Sequence, residues 1–144
     1  QEFLNRIFSL CESQIRSGSR TKNDSEIKDF LADLYIDMQV GRLLNLRNFW
    51  IRATNRTLTY EGPQSYLHTK RSALRTAKLV QKMFGPQALI KDSLWALDEG
   101  HIEAQQRGAI VAQHPGGTVE IQKVIMARRL GIGRTTKEKA GVLR

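Results

Sequence analysis

The sequence is poor in the residues that staple or interrupt a chain. Cys11 is the only cysteine among 144 residues, which excludes an internal disulfide and any cysteine-clustered metal site. A reducing, cytoplasmic setting is the expected one. Three prolines leave room for long uninterrupted helices. No apolar run approaches the ~20 residues that a membrane span needs, so no span is expected. The start, Gln1-Glu2-Phe3-Leu4, lacks an initiator Met, a basic lead and the small residues of a signal-peptide cleavage site. It reads as the middle of an amphipathic helix, and hence as a fragment or a processed chain. The three histidines, His68, His101 and His114, have no metal-ligand spacing, so no metal is expected, although His114 could face an active-site mouth. There is no phosphate-binding loop, nucleophile elbow or dinucleotide fingerprint.

Acidic residues are also few: 14 Asp and Glu against 23 Lys and Arg leave a net charge of +9. Such an excess commonly meets anions, whether nucleic acid, anionic lipid or phosphorylated small molecules. The basic residues are spread over every segment, however. They are dense only at Arg128-Arg129 and from Arg134 to Arg144, which reads as solvated helix faces followed by a basic tail. A basic helical nucleic-acid-binding module would need its cations in a stripe, whereas those between Arg42 and Arg56 interrupt an apolar pattern. Nucleic acid is therefore the disfavoured partner.

With 40% hydrophobic and 26% charged residues, the chain has ordinary globular proportions and enough length for one core. Leu4, Ile7, Phe8, Cys11 and Ile15 mark one face of a helix from about Phe3 to Arg16, which Ser17-Gly18-Ser19 interrupts. A long helix is expected over Ser25–Thr54, with Asn23 and Glu26 as its capping pair. Phe30, Leu31, Leu34, Met38, Gly41 and Leu44 recur on it at helical spacing. Leu43, Leu46, Phe49, Trp50 and Ala53 carry apolar surface around its circumference, as in a helix central to a bundle. Gly62-Pro63 opens a third helix, striped by Leu67, Leu74, Ala77, Val80 and Phe84 and closed by Gly85-Pro86. Residues 88–97 suggest a loop with a short helix, and Glu103 to Ala112 a fourth helix. The last runs from Val119 to about Leu130, with Ile121, Val124 and Ile125 expected to point inward. No strand is expected. The expected fold is all-α, an antiparallel four-helix-bundle-like domain over residues 1–131, with 132–144 a basic tail.

The sharpest local signal is Pro115-Gly116-Gly117-Thr118-Val119-Glu120-Ile121-Gln122. Paired glycines let backbone approach a ligand where a side chain would clash. Thr118 is placed as an N-cap, and the amides behind it open a helix terminus suited to phosphates or electron-rich cofactor atoms. A capped helix after a glycine turn, without a ligand, has the same spelling.

The stretch GGTVEIQKVIMARRLG from Gly116 to Gly131 resembles the last helix of the acyl-CoA dehydrogenase family, written G-G-T-x-E-I-Q-x-x-I-x-A-R. It agrees at Gly116, Gly117, Thr118, Glu120, Ile121, Gln122, Ile125, Ala127 and Arg128. Leu31-Ala32-Asp33-Leu34 with Arg42-Leu43-Leu44 resembles the family's L-A-D-M…A-R-L-L helix, and Lys70 to Phe84 the helix before its glycine turn. The resemblance covers roughly residues 26–131 and identifies the C-terminal helical domain. It implies an FAD-dependent oxidoreductase that removes an α proton from an acyl-CoA thioester with a carboxylate and passes the β hydride to flavin. It also implies partners: the N-terminal and β domains of the same enzyme, further subunits in a homo- or hetero-oligomer (dimer or tetramer), and an electron-transfer acceptor. Thr118 and Glu120 are then expected against FAD, with Gly116 and Gly117 lining the approach to flavin and thioester.

Departures from the family pattern shape the expectation. Many members carry the catalytic glutamate where this chain has Gly116, which accepts no proton. Others place it on the first long helix of the domain, a position that falls before Gln1; Glu2 and Glu12 do not fit the spacing. No catalytic residue is therefore visible. The family's signature of an arginine followed by Phe-Gly is missing between Gln14 and Ser25, leaving Arg16 or Arg20 as substitutes for its FAD-binding arginine. Gln81 is the candidate for the glutamine before the glycine turn, one residue out of register, with Lys82 in the aligned place. Such departures resemble a divergent bacterial branch in which two different subunits pair and some do not bind flavin, so a non-catalytic partner subunit is the alternative reading. In either case the fragment alone is expected to be inactive.

Overall fold

The structure, a computed structural model, describes residues 2–16 and 25–133. Ser17-Gly18-Ser19, Arg20, the Asn23 cap and the tail from Arg134 lie outside the described residues, as do the side chains of Leu4, Ile15 and Arg16. Five α-helices follow one another: α1 (Glu2–Arg16), α2 (Ser25–Ala53), α3 (Glu61–Phe84), α4 (His101–Val111) and α5 (Val119–Arg129). The described residues contain no strand, and none of their helices is long and apolar enough to cross a membrane. The chain divides into two compact units, with the division falling inside α2 after Val40 and inside α3 after Arg71.

The first unit holds residues 1–40 and 72–112 and the larger apolar core. Ile7 and Cys11 of α1, Ile27, Phe30 and Leu34 of α2, and Val80, Met83 and Phe84 of α3 bury there with Ala88 and Ile102. These are the three- and four-residue steps that the sequence displays, so the stripes on three helices become one cluster. Polar groups fix the geometry around it. Arg75 bridges Asp33 and Asp37 at 2.7 and 3.3 Å, and Gln106 Nε2 donates to the Ala77 carbonyl at 3.0 Å.

After α3, Gly85 takes φ +60 and Gly85–Leu89 winds as a 3-10 turn. The short turn at Leu97–Gly100 is not regular helix, because Asp98 and Glu99 are left-handed. Two contacts hold that unfavourable backbone. Arg6 donates to Asp98 Oδ2 at 2.9 Å, and His101 Nδ1 donates to the Asp98 carbonyl at 2.7 Å. Gly100 follows at φ +85, where a Cβ would stand 2.7 Å from the Lys91 carbonyl oxygen; glycine is required there on both counts.

The second unit holds residues 41–71 and 113–144, and its interior is more polar. Ile51 and Leu67 are buried, but so are Ser65, Lys70 and Gln122. Helix α3 begins at Glu61, two residues before Pro63. The Thr59 amide and hydroxyl both donate to Glu61 Oε2, at 2.8 and 2.9 Å, so this carboxylate organises the start of the helix. Although burial pushes the Glu61 carboxyl upward, hydrogen bonds from its own amide and from Thr59 hold it below the usual carboxylate range. Arg47 ties α2 to this corner, donating to the Tyr60 hydroxyl at 3.0 Å.

Two expectations about burial do not hold. On α5, Ile121 and Val124 are 50% and 45% exposed, while Gln122 is 6% exposed. The polar residue turns inward because its amide finds the Gly116 carbonyl, which removes the usual penalty on burial. On α2, Leu43, Leu46, Phe49 and Trp50 are exposed. A helix apolar around its circumference is here covered only in part by its own chain.

Candidate functional site

The candidate site is the turn from His114 to Thr118 together with the start of α5. Gly116 and Gly117 both take left-handed backbone, φ +71 and +88. L-residues with a Cβ disfavour successive positive φ values. Thr118 is then extended, with φ −65 and ψ 168, and accepts from the Ile121 amide. At 3.4 Å this is a loose cap, so its contribution belongs at the lower end of what such caps supply. The first helical bond runs from the Gln122 amide to the Thr118 carbonyl at 3.0 Å. The Gly117, Thr118 and Val119 amides thus precede the helical ladder, on the partially positive end of the helix.

Three side chains pin the turn: one from α3, one from the connection just ahead of it and one from α5. The Lys70 ammonium, on a residue only 3% exposed, donates to the Pro115 carbonyl at 2.8 Å. Gln113 Nε2 donates to the Lys70 carbonyl at 3.1 Å, and Gln122 Nε2 donates to the Gly116 carbonyl. Tyr66 lies over the turn: a Cβ built on Gly116 would stand 2.7 Å from its ring edge and 3.3 Å from its hydroxyl. The sequence reading missed Tyr66, Lys70 and Gln113 as site residues. Lys70 alone left a trace, since a lysine between Leu67 and Leu74 interrupts an apolar stripe where a buried partner must exist.

The candidate residues fall into three groups. Gly116, Gly117, Thr118 and Glu120 form the turn and the first turn of α5. Gln81 is exposed on α3 within the other unit. Arg20 and the Arg16 side chain lie outside the described residues. Glu12 is exposed on α1, as is Glu2, whose carboxylate accepts from Arg6 at 3.0 Å. The hydrogen bond from the Glu120 amide to its own carboxylate, and then that from the Thr118 hydroxyl, hold Glu120 below its ordinary value. With a carboxylate already at this terminus, a neutral electron-rich edge is better suited to it than a further phosphate charge. His114 is exposed beside the turn. Among the described residues, no three His, Cys, Asp or Glu are grouped to hold a metal.

Comparison with known proteins identifies the family of the chain and relatives of its fold. The family model described as acyl-CoA dehydrogenase, C-terminal domain, matches residues 1–131. The chain is 24% identical over 130 residues to the probable acyl-CoA dehydrogenase YngJ of Bacillus subtilis (strain 168), covering 90% of this chain and 32% of that protein. Its fold is similar to the steroid ACAD Tcur3481-Tcur3483, with a TM-score of 0.76 at 19% identity over 92% of this chain and 35% of that one. It is also similar to the ChsE4-ChsE5 complex from Mycobacterium tuberculosis, with a TM-score of 0.71 at 20% identity over 92% of this chain and 37% of that one. The chain thus spans about a third of the length of the relatives it matches.

Proposed function

Because the chain belongs to the acyl-CoA dehydrogenase family, matching its C-terminal domain, we propose that it supplies the helical part of an FAD-dependent enzyme desaturating an acyl-CoA thioester. The reading makes residues 1–131 one C-terminal domain, completing the FAD and acyl-CoA sites and an oligomer interface, in a cytoplasmic setting. The observation that carries it is the double left-handed turn at Gly116-Gly117. Both positions require glycine, and Gly116 stands exposed ahead of the first amides of α5. Bound FAD would supply the hydride acceptor for the β carbon. This chain's residues act by position: Gly116 and Gly117 supply the left-handed backbone of the turn, Thr118 fixes the start of α5, and Lys70, Gln113 and Gln122 keep the turn from opening.

The proton acceptor in this reading lies outside the turn. Gly116 has no side chain, and the space where one would project is taken by Tyr66. The carboxylate comes from sequence before Gln1 or from a different subunit. A different subunit as the source is the partner-subunit variant of the proposal, and two of the similar structures are named as pairs of proteins. The test is flavin absorbance of the complete protein, purified alone and with a co-expressed partner. Thr118→Ala is expected to lower bound FAD while costing about 0.5–1 kcal/mol of helix stability. Unchanged flavin content in that variant would count against the cofactor role. The 144-residue chain alone is expected to show no acyl-CoA-dependent dye reduction.

A further inference from the structure

The part of α2 that belongs to the second unit carries an apolar surface that its own chain leaves bare. Leu43, Leu46 and Trp50 follow one another at steps of three and four residues, and so share one face of the helix. Phe49, three residues past Leu46, widens that face. Leu43 is 63% exposed, Leu46 50%, Phe49 72% and Trp50 55%. Large apolar side chains exposed singly need no explanation, but a contiguous group of them marks a surface that meets something.

The charge around this face decides what can cover it. Arg42 stands four residues before Leu46, and Arg47 sits four after Leu43 and three before Trp50. The Arg56 guanidinium lies over the Trp50 ring, 5.5 Å from its centre. Arg47 is matched by Glu61 at 3.5 Å, whereas Arg42 and Arg56 have no carboxylate partner among the described residues. Over residues 41–71, six cations (Arg42, Arg47, Arg52, Arg56, Lys70 and Arg71) meet the single carboxylate of Glu61, a net charge of +5. A second copy paired across a two-fold axis would bring this face against itself, +5 against +5, and offer Arg42 and Arg56 no counter-charge. Nucleic acid would set phosphates against Leu43 and Leu46, which offer them no donor. An apolar centre bordered by arginine, with a tryptophan in it, is instead the composition of protein interfaces, and a guanidinium takes a carboxylate with two parallel hydrogen bonds.

We infer that this face of α2 docks an acidic amphipathic helix of a different subunit, with aliphatic side chains on Leu43, Leu46 and Trp50 and carboxylates at Arg42 and Arg56. This names the partner at the oligomer interface of the proposed enzyme and rests on that part of the reading, not on its flavin site. The chain has two indoles, Trp50 on this face and Trp95 in the other unit, so Trp95 serves as an internal reference. The nitrogen-15-labelled chain would be titrated with a synthetic helix of about five turns, a leucine stripe flanked by glutamates. The same helix with lysines for the glutamates, and vesicles of phosphatidylserine, are the comparisons. The acidic helix is expected to shift the Trp50 indole saturably and leave Trp95 unmoved, with the basic helix at least about tenfold weaker and the chain monomeric in sedimentation. Leu46→Gln should weaken the acidic helix about tenfold. Arg42→Glu combined with Arg56→Glu, both at exposed positions, should reverse the preference between the two helices. Equal affinity for both helices, or no saturable shift of Trp50, would overturn the inference. So would a concentration-dependent dimer that shifts Trp50, which would put a second copy there, or a response to vesicles alone, which would put a membrane there. Flavin bound by the complete protein in any of these cases would leave the flavoenzyme reading standing, so the two failures are distinct.

Discussion

Replacing Gly116 with alanine separates two forces that act at the turn. The backbone there has φ +71, and an added Cβ would sit 2.7 Å from the Tyr66 ring. Holding an L-residue in left-handed backbone costs roughly 1–2 kcal/mol. The ring overlap looks worse on distance alone, but Tyr66 is 52% exposed, and the atoms involved are the far end of its side chain. It can swing into solvent, giving up part of one aromatic contact, about 0.5 kcal/mol or less for a half-exposed group. The backbone term therefore dominates. Gly116→Ala is expected to lower stability by about 1–2.5 kcal/mol, measured by urea denaturation of the chain. Gly116→Asn should cost visibly less, because asparagine tolerates left-handed backbone. Tyr66→Ala should recover only the smaller part, so the two changes in combination are nearly additive, within about 0.5 kcal/mol. Should Tyr66→Ala erase the penalty of Gly116→Ala, the turn would be governed by packing and this account of it would be wrong.

Other perturbations address the supports of the turn and its helix. Lys70→Met keeps the apolar stem but strips the donor from the Pro115 carbonyl, and is expected to cost about 1–3 kcal/mol; amide exchange of residues 113–118 should quicken in that variant, and unchanged exchange would remove Lys70 from the supports. Acid should loosen the starts of α3 and α5. Glu61 and Glu120 are both held below the usual carboxylate range in the fold, so their contribution is complete above the unfolded value of about 4.3 and is lost as pH falls through the lower folded values. Glu120→Gln should flatten that loss at α5, as read by amide exchange near residue 121 between pH 5 and pH 3, a window set by typical carboxylate values of about 4.

Much of this fold was legible because periodicity reports burial directly. The stripes on α1, α2 and α3 reappear as one cluster from Ile7 to Ile102, and Gly85 and Gly131, both at positive φ, sit where helices were expected to stop. The glycine turn ahead of the Thr118 cap was legible from its residue types, and both glycines take positive φ; the left-handed pair Asp98-Glu99 has no glycine to announce it. What escaped were residues whose role depends on a distant partner. Gln122 reads as polar surface until Gly116 offers it a carbonyl, and Ile121 and Val124 read as core although they face outward. Tyr66 and Lys70 lie far from residue 116 in sequence, and no local pattern announces that they close over it. The exposed Leu43, Leu46, Phe49 and Trp50 on α2 illustrate a further limit: a pattern shows that a surface is apolar, and not which chain covers it.

The central claim is that backbone amides at the Gly116–Thr118 turn and the start of α5 face a flavin in the assembled enzyme. Hydrogen exchange of residues 116–121 in the complete protein, with FAD added or withheld, tests it most directly. Slowed exchange at the Gly117, Thr118 and Val119 amides on adding FAD is the predicted result. Flavin bound elsewhere in the enzyme with exchange at those amides unchanged would contradict it.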